Sequence, residues 1–138
     1  MIECDEERAA TLVTLFQDDS YADVDAARSA ARDTGMFNVI HLESLVKADF
    51  IVKPTTPYET IKFGRRRRID LGDFGVTVIR PEDLILSKLL WARGSESARQ
   101  VEDVRTLLEQ VPALDRDYLA DWSLQLDLVD ALARADRS

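Results

Sequence analysis

Apolar residues recur at helical spacing near the start of the chain and through its second half, with strand-like runs between. Leu12, Leu15 and Phe16 form a stripe behind Asp5-Glu6-Glu7, whose carboxylates suit the positive end of a helix dipole. The alanine-rich stretch Asp23 to Arg32 reads as a second helix with Gly35 as its terminator. Phe37 to Leu42 and Lys47 to Val52 are β-prone runs joined by Glu43 to Val46, which predicts a hairpin that Pro54 stops. Pro57 to Phe63 predicts a short helix. Arg67 to Leu71 and Val76 to Ile79 flank Gly72-Asp73-Phe74-Gly75 and predict a second hairpin.

From Pro81 onward the pattern is helical. Proline is tolerated in a first turn, and Glu82 and Asp83 sit beside it at the positive end of the dipole. Leu84, Ile85, Leu86, Leu89, Leu90 and Trp91 leave this helix apolar nearly all round, so it belongs at the centre of a core; Gly94 ends it. A helix from about Ser97 to Gln110 carries Val101, Val104 and Leu108 at core spacing and stops before Pro112. Tyr118, Leu119, Trp122 and Leu126 mark another, and Leu128 to Ala135 a last short one. This order gives an α+β (mixed α/β) fold with a small mixed sheet and a helical C-terminal tail. With no repeat, low-complexity linker or Pro/Gly-rich boundary, residues 1–138 read as a single domain, sheet and helices to about residue 80 and the tail from 81.

Composition narrows the class. The 138 residues carry 18 Lys+Arg against 26 Asp+Glu, a net charge of −8, with 46% hydrophobic residues, as expected of a soluble globular domain. That charge argues against coating DNA or an anionic membrane with the whole surface. No apolar run approaches the ~20 residues of a membrane span, and MIECDEERAA has neither the basic flank nor the apolar stretch of a signal peptide, so a cytoplasmic location and no membrane partner are expected. A single cysteine, Cys4, and a single histidine, His41, exclude an internal disulfide and a Cys/His metal cluster; any metal would rest on carboxylates.

The charge is uneven. Met1 to Asp33 holds nine acidic residues against three arginines, whereas Lys47 to Arg68 holds Lys47, Lys53, Lys62, Arg65, Arg66, Arg67 and Arg68 against Asp49 and Glu59. Only this middle segment invites an anion. Arg65 to Arg68 is either a solvated turn and strand edge or a contact for phosphate or RNA. Asp49 lies mid-strand, where aspartate is disfavoured; it is either paired with Lys47 or Lys53, or it is a metal ligand or general base at a sheet edge. Lys88 interrupts an otherwise apolar helix, either snorkelling past Trp91 or reaching a phosphate oxygen. Asp103 pairs with Arg99 four residues earlier, or holds Lys88 or a substrate. Asp23-Val24-Asp25 belongs to a helix start, Gly94-Ser95 lacks a following phosphate-cradling helix of Walker type, and His41 suits a packed or edge position.

Phe37-Asn38-Val39-Ile40-His41-Leu42, Lys47-Ala48-Asp49-Phe50-Ile51-Val52, Arg65 to Arg68, Pro81-Glu82-Asp83-Leu84-Ile85-Leu86-Ser87-Lys88-Leu89, Arg99-Gln100 and Asp103 occur in an order that resembles one family over nearly the whole chain. It is similar to the bacterial nucleotidyltransferase-fold proteins related to the AbiEii-type toxins of abortive-infection toxin–antitoxin systems. The resemblance implies a mixed α/β sheet, a Gly-Ser motif on a first helix that binds nucleotide phosphates, and three aspartates on two strands that hold divalent metal. Asp49 matches the third aspartate, Lys88 the helix lysine and Asp103 the later acidic residue.

The Gly-Ser element and the two-aspartate strand of that family would precede the helix near Asp5; here Met1-Ile2-Glu3-Cys4 resembles only the tail of that strand. A lone Asp49 would leave Mg²⁺ mostly hydrated and weakly held. A nucleotidyltransferase-like fold shortened in this way is therefore expected to be inactive alone. Asp49 and Lys88 are its catalytic candidates, and Lys47, Arg65, Arg66, Arg67 and Asp103 its nucleotide- or phosphate-binding candidates. An open sheet edge favours a homodimer. Nucleotide or RNA and a cognate antitoxin are the expected partners; a dimeric binding or regulatory module, or an RNA-binding protein using Arg65 to Arg68, is the alternative.

Overall fold

The computed structural model describes residues 1–95 and 97–137, the Ser95 side chain excepted. The fold is α+β, and the chain divides into two compact units, Met1–Phe63 and Gly64–Ser138. The division comes earlier than the change from sheet to helical tail, which does fall at residue 81.

The first unit holds α1 (Glu6–Thr14), β1 (Ser20–Ala22), α2 (Val24–Asp33), β2 (Met36–His41), β3 (Lys47–Ile51) and most of α3 (Pro57–Gly64). Asp5 caps α1 by accepting from the Arg8 amide at 2.8 Å, and Asp23 caps α2 by accepting from Asp25 and Ala26. Thr34, not Gly35, ends α2: it takes the left-handed conformation at φ 52, which costs a β-branched residue about 1–2 kcal/mol. The Gly35 amide then returns to the Ala30 carbonyl at 2.8 Å. Small residues on both helices bring them close, and Ala9, Val13, Ala27, Ala30, Phe37 and Val52 make the core. Phe50 extends it, stacked on Phe37 with ring centroids 5.1 Å apart.

The sheet runs β1-β2-β3, antiparallel throughout, with Asn38 opposite Asp49 and Ile40 opposite Lys47. Outside the named strands, Ile2 makes an isolated parallel bridge with Val52. β1 has three residues, too few to display a period, and was not legible in the sequence.

In the second unit β4 (Arg67–Asp70) and β5 (Gly75–Val78) make the other hairpin, whose turn places Gly72 at φ +86, a conformation glycine adopts without strain. Four helices follow: α4 (Pro81–Ser95), α5 (Ala98–Gln110), α6 (Arg116–Gln125) and α7 (Val129–Asp136). Ile85, Leu86 and Leu89 of α4 are buried, as its all-round apolar pattern requires, and α4 packs on α5 and α6. α4 runs one residue past Gly94. Val111 turns extended before Pro112, whose ring excludes a helical predecessor.

Candidate functional site

The candidates fall on separate elements. Lys47 and Asp49 lie on β3 of the first unit; Arg65 to Arg67, Lys88 and Asp103 belong to the second.

On β3, alternation places Lys47 and Asp49 on one face, together with Tyr21, Met36, Asn38, Ile40 and Ile51 by register. Asp49 is about two-fifths exposed and its Oδ1 is 3.2 Å from the Lys47 ammonium. Of the two lysines weighed as partners, Lys47 is the one engaged. Lys53 turns away to Glu3 at 3.6 Å and Thr60 at 3.4 Å.

The backbone beside Asp49 carries more information than its side chain. The Ile2 amide donates to the Ile51 carbonyl and the Lys53 amide to the Ile2 carbonyl, each at 2.8 Å. Backbone groups alternate between the two edges of a strand, so the N–H and C=O of Lys47 and Asp49 face the same edge as those of Ile51. Among the described residues that edge has no further strand. Ile2 occupies that edge beside Ile51 to Lys53, in the parallel direction.

Lys88 is held from a second helix. Its ammonium, 17% exposed at the side chain, donates to Asp103 Oδ2 at 2.7 Å and to Gln100 Oε1 at 3.2 Å. Gln100 and Asp103 are three apart on α5 and so share a face. The hydrogen bond from Lys88 holds the Asp103 carboxyl below its ordinary pKa; burial opposes it, and the charges of Lys88 and then Arg99 add to the lowering. An ammonium has three donors, and these contacts engage two of them.

The arginine run is not one surface. Arg65 is turned inward: its Nε donates to Asp83 Oδ2 at 3.0 Å, Glu82 lies 3.6 Å away, and the guanidinium stacks 3.7 Å from the centre of the Tyr118 ring. Arg66 precedes β4 and is half-buried. Arg67 is exposed on β4, and Arg68 is exposed and 3.6 Å from Asp70.

Sequence reasoning missed Asp83 and Tyr118. Asp83 is wholly buried and accepts from the Tyr118 hydroxyl at 2.7 Å as well as from Arg65. Burial, then the Asp83 hydrogen bond and charge, push the Tyr118 phenol well above its ordinary pKa. Nearby, Glu82 accepts from the Asp115 amide at 3.1 Å. A start-of-helix carboxylate pair reads as a dipole partner, and no periodicity links Asp83 to a tyrosine 35 residues on. The burial of Lys53 and Lys62 was also illegible; Lys62 is paired with Glu59 at 2.6 Å.

Among the described residues no three of His, Cys, Asp or Glu are gathered as ligands, and Asp49 has an ammonium beside it where a second carboxylate would be needed. Nor does the large cavity of the second unit, about 570 Å³ and lined by Leu89, Arg93, Val101, Leu128 and Arg134 among others, include Lys88 or Asp103. No helix among the described residues is long and apolar enough to cross a membrane.

Comparison of the chain with protein-family models, with curated proteins and with solved structures returned no match.

Proposed function

We propose that the chain is a nucleotidyltransferase-like protein of toxin–antitoxin type that binds nucleotide phosphate at Lys88 and does not complete nucleotidyl transfer with its own residues. The observation that carries this reading is the Lys88–Gln100–Asp103 arrangement. A flexible lysine gains a defined direction when two of its donors are fixed by partners on a neighbouring helix, and its remaining donor is then available to a phosphate oxygen. This gives Lys88 the phosphate-orienting role and Asp103 and Gln100 the positioning roles.

Asp49 has a different part. It supplies one carboxylate at the edge of a sheet where further carboxylates would have to arrive on an added strand. Pairing of that edge with a second copy makes a homodimer, and pairing with an antitoxin segment blocks it.

The test is to incubate the purified chain with each labelled nucleoside triphosphate, Mg²⁺ or Mn²⁺ and a tRNA pool, and to follow binding and transfer separately. Retention of nucleotide without transfer is expected. Transfer above background that disappears in Asp49→Ala would overturn the inactive part of the reading, and absence of nucleotide binding would overturn the whole. Light scattering over a wide concentration range reports the dimer; a constant monomeric mass contradicts it.

A further inference from the structure

The β4–β5 ribbon has chemistry that the nucleotide reading does not use. Register places Arg67 opposite Val78 and Ile69 opposite Val76, and the Leu71 amide donates to the Phe74 carbonyl at 2.8 Å. Arg67, Ile69, Leu71, Phe74, Val76 and Val78 therefore share one face. At the turn end of that face Leu71 is 54% exposed and Phe74 62% exposed, so an aromatic ring stands in solvent beside a leucine. At the other end stands the exposed Arg67. The opposite face carries Arg68, whose guanidinium lies across Gly75 so closely that a Cβ there would sit 2.5 Å from its Nε. Its pairing with Asp70, at 3.6 Å between two largely exposed side chains, is weak and open to exchange.

A solvent-facing ring costs hydrophobic free energy, and a run of guanidiniums repels itself; one class of ligand relieves both. Nucleic-acid bases stack on an aromatic face while their phosphates take up arginine. Residues 64–80 hold Arg66, Arg67, Arg68 and Arg80 in addition to the internally engaged Arg65, against Asp70 and Asp73, in a chain whose net charge is −8. The ribbon is thus a locally basic element on an acidic protein. Asp70 and Asp73 lie toward the turn, where a base and not a phosphate would rest. From Arg67 to Leu71 the strand rises about 13 Å, which separates a stacking end from a phosphate end.

We infer that the β4–β5 ribbon binds single-stranded nucleic acid, with an unpaired base against Phe74 and Leu71, a backbone phosphate at Arg67 on the same face, and Arg68 adding positive charge from the opposite face. A duplex keeps its base faces covered and offers Phe74 nothing to stack on. The site's residues differ from the Lys88, Gln100 and Asp103 of the nucleotide reading.

The test is fluorescence anisotropy of the full chain with a labelled 12-nucleotide single-stranded RNA, the matching DNA, and a blunt RNA duplex, each at two salt concentrations. Binding of one or both single strands in preference to the duplex is expected, RNA and DNA separating only if the ribbon also reads the 2′-hydroxyl. Phe74→Ala should weaken single-strand binding at least about fivefold at both salt concentrations, and Phe74→Trp should retain it. The double variant Arg67→Gln/Arg68→Gln should weaken it strongly at low salt and flatten the salt dependence. ATP binding should be unchanged in Phe74→Ala and Phe74→Trp, which separates failure here from failure of the Lys88 reading. Duplex binding as tight as single-strand binding, loss of the Phe74→Ala effect, or no binding of either single strand overturns the proposal. Circular dichroism of each variant distinguishes a lost contact from a lost fold.

Discussion

Asp49 and Asp83 are both aspartates on regular elements and both touch a cation, yet the molecule treats them in opposite ways. Asp49 stands on a strand, two-fifths exposed, with a single lysine two residues away. Asp83 stands in the first turn of a helix, wholly buried, with one oxygen taken by Arg65 and the other by Tyr118. In the sequence Asp49 looks anomalous and Asp83 ordinary. The difference teaches that local disfavour marks a residue whose partners are to be sought, whereas burial with distant partners marks one already committed to holding the fold. Asp49 therefore stays open to solvent beside its lysine, and Asp83 does not.

The largest effect should follow from breaking the buried member. Asp83→Ala leaves the Arg65 guanidinium and the Tyr118 hydroxyl without their carboxylate, and should lower the stability of the second unit by about 3–5 kcal/mol. Trp91 and Trp122 both lie in that unit, so their fluorescence in urea reports it. A loss below about 1 kcal/mol would mean that Arg65 and Tyr118 find other partners.

Tyr118→Phe removes one of the two contacts and should cost about 1–3 kcal/mol by the same assay, because a buried carboxylate oxygen loses its donor. Its pH dependence has a definite sign. The folded state favours the protonated phenol, so the contribution is complete below the unfolded value near pH 10 and is lost as pH rises through the higher folded value. Wild type and Tyr118→Phe should converge in stability as the solution is made strongly alkaline; divergence instead would contradict the buried hydrogen bond.

Asp103 gives a smaller effect of the opposite sign. Its folded pKa is depressed, chiefly by the Lys88 hydrogen bond, so its contribution is present above the unfolded value of about 3.9 and disappears as pH falls through the lower folded value. The stability difference between wild type and Asp103→Asn should shrink on acidification below about pH 4. A difference that persists unchanged into strong acid would show that Asp103 acts without its charge.

Asp49→Asn should give the smallest effect, within about 0.5 kcal/mol, because exposed ion pairs are screened and entropically costly. Hydrogen exchange of the β2 and β3 amides follows the first unit directly. A larger loss would place Asp49 among the structural carboxylates and remove it from the functional candidates.

Much of the fold was readable because its punctuation is chemical. Pro54, Pro57, Gly72, Pro81 and Pro112 stop or start elements at positions where their backbone chemistry demands it, and both hairpins and the seven helices among the described residues lie close to where the spacing puts them. The failures are those of short or non-local structure. β1 is three residues long, and Thr34 adopts a left-handed conformation that its residue type disfavours beside a glycine that invites it. The Lys88–Asp103 pair was among the alternatives that helical spacing left open, since residues on two packed helices have no fixed offset. Arg65 was indistinguishable from its three neighbours until Asp83 and Tyr118 were seen to take it inward. The ribbon's arginines were visible in the sequence, but their relation to Phe74 depends on strand register.

The central claim, that Lys88 is oriented for phosphate while Asp49 alone is not a transfer centre, is tested most directly by titrating ATP with Mg²⁺ into the wild-type chain, Lys88→Gln and Asp49→Asn by calorimetry. The account predicts measurable binding to the wild type, at least about tenfold weaker binding to Lys88→Gln, and nearly unchanged binding to Asp49→Asn. Equal affinity of wild type and Lys88→Gln would contradict it, because the Lys88–Gln100–Asp103 arrangement would then be a packing device of α4 and α5 with no ligand to meet.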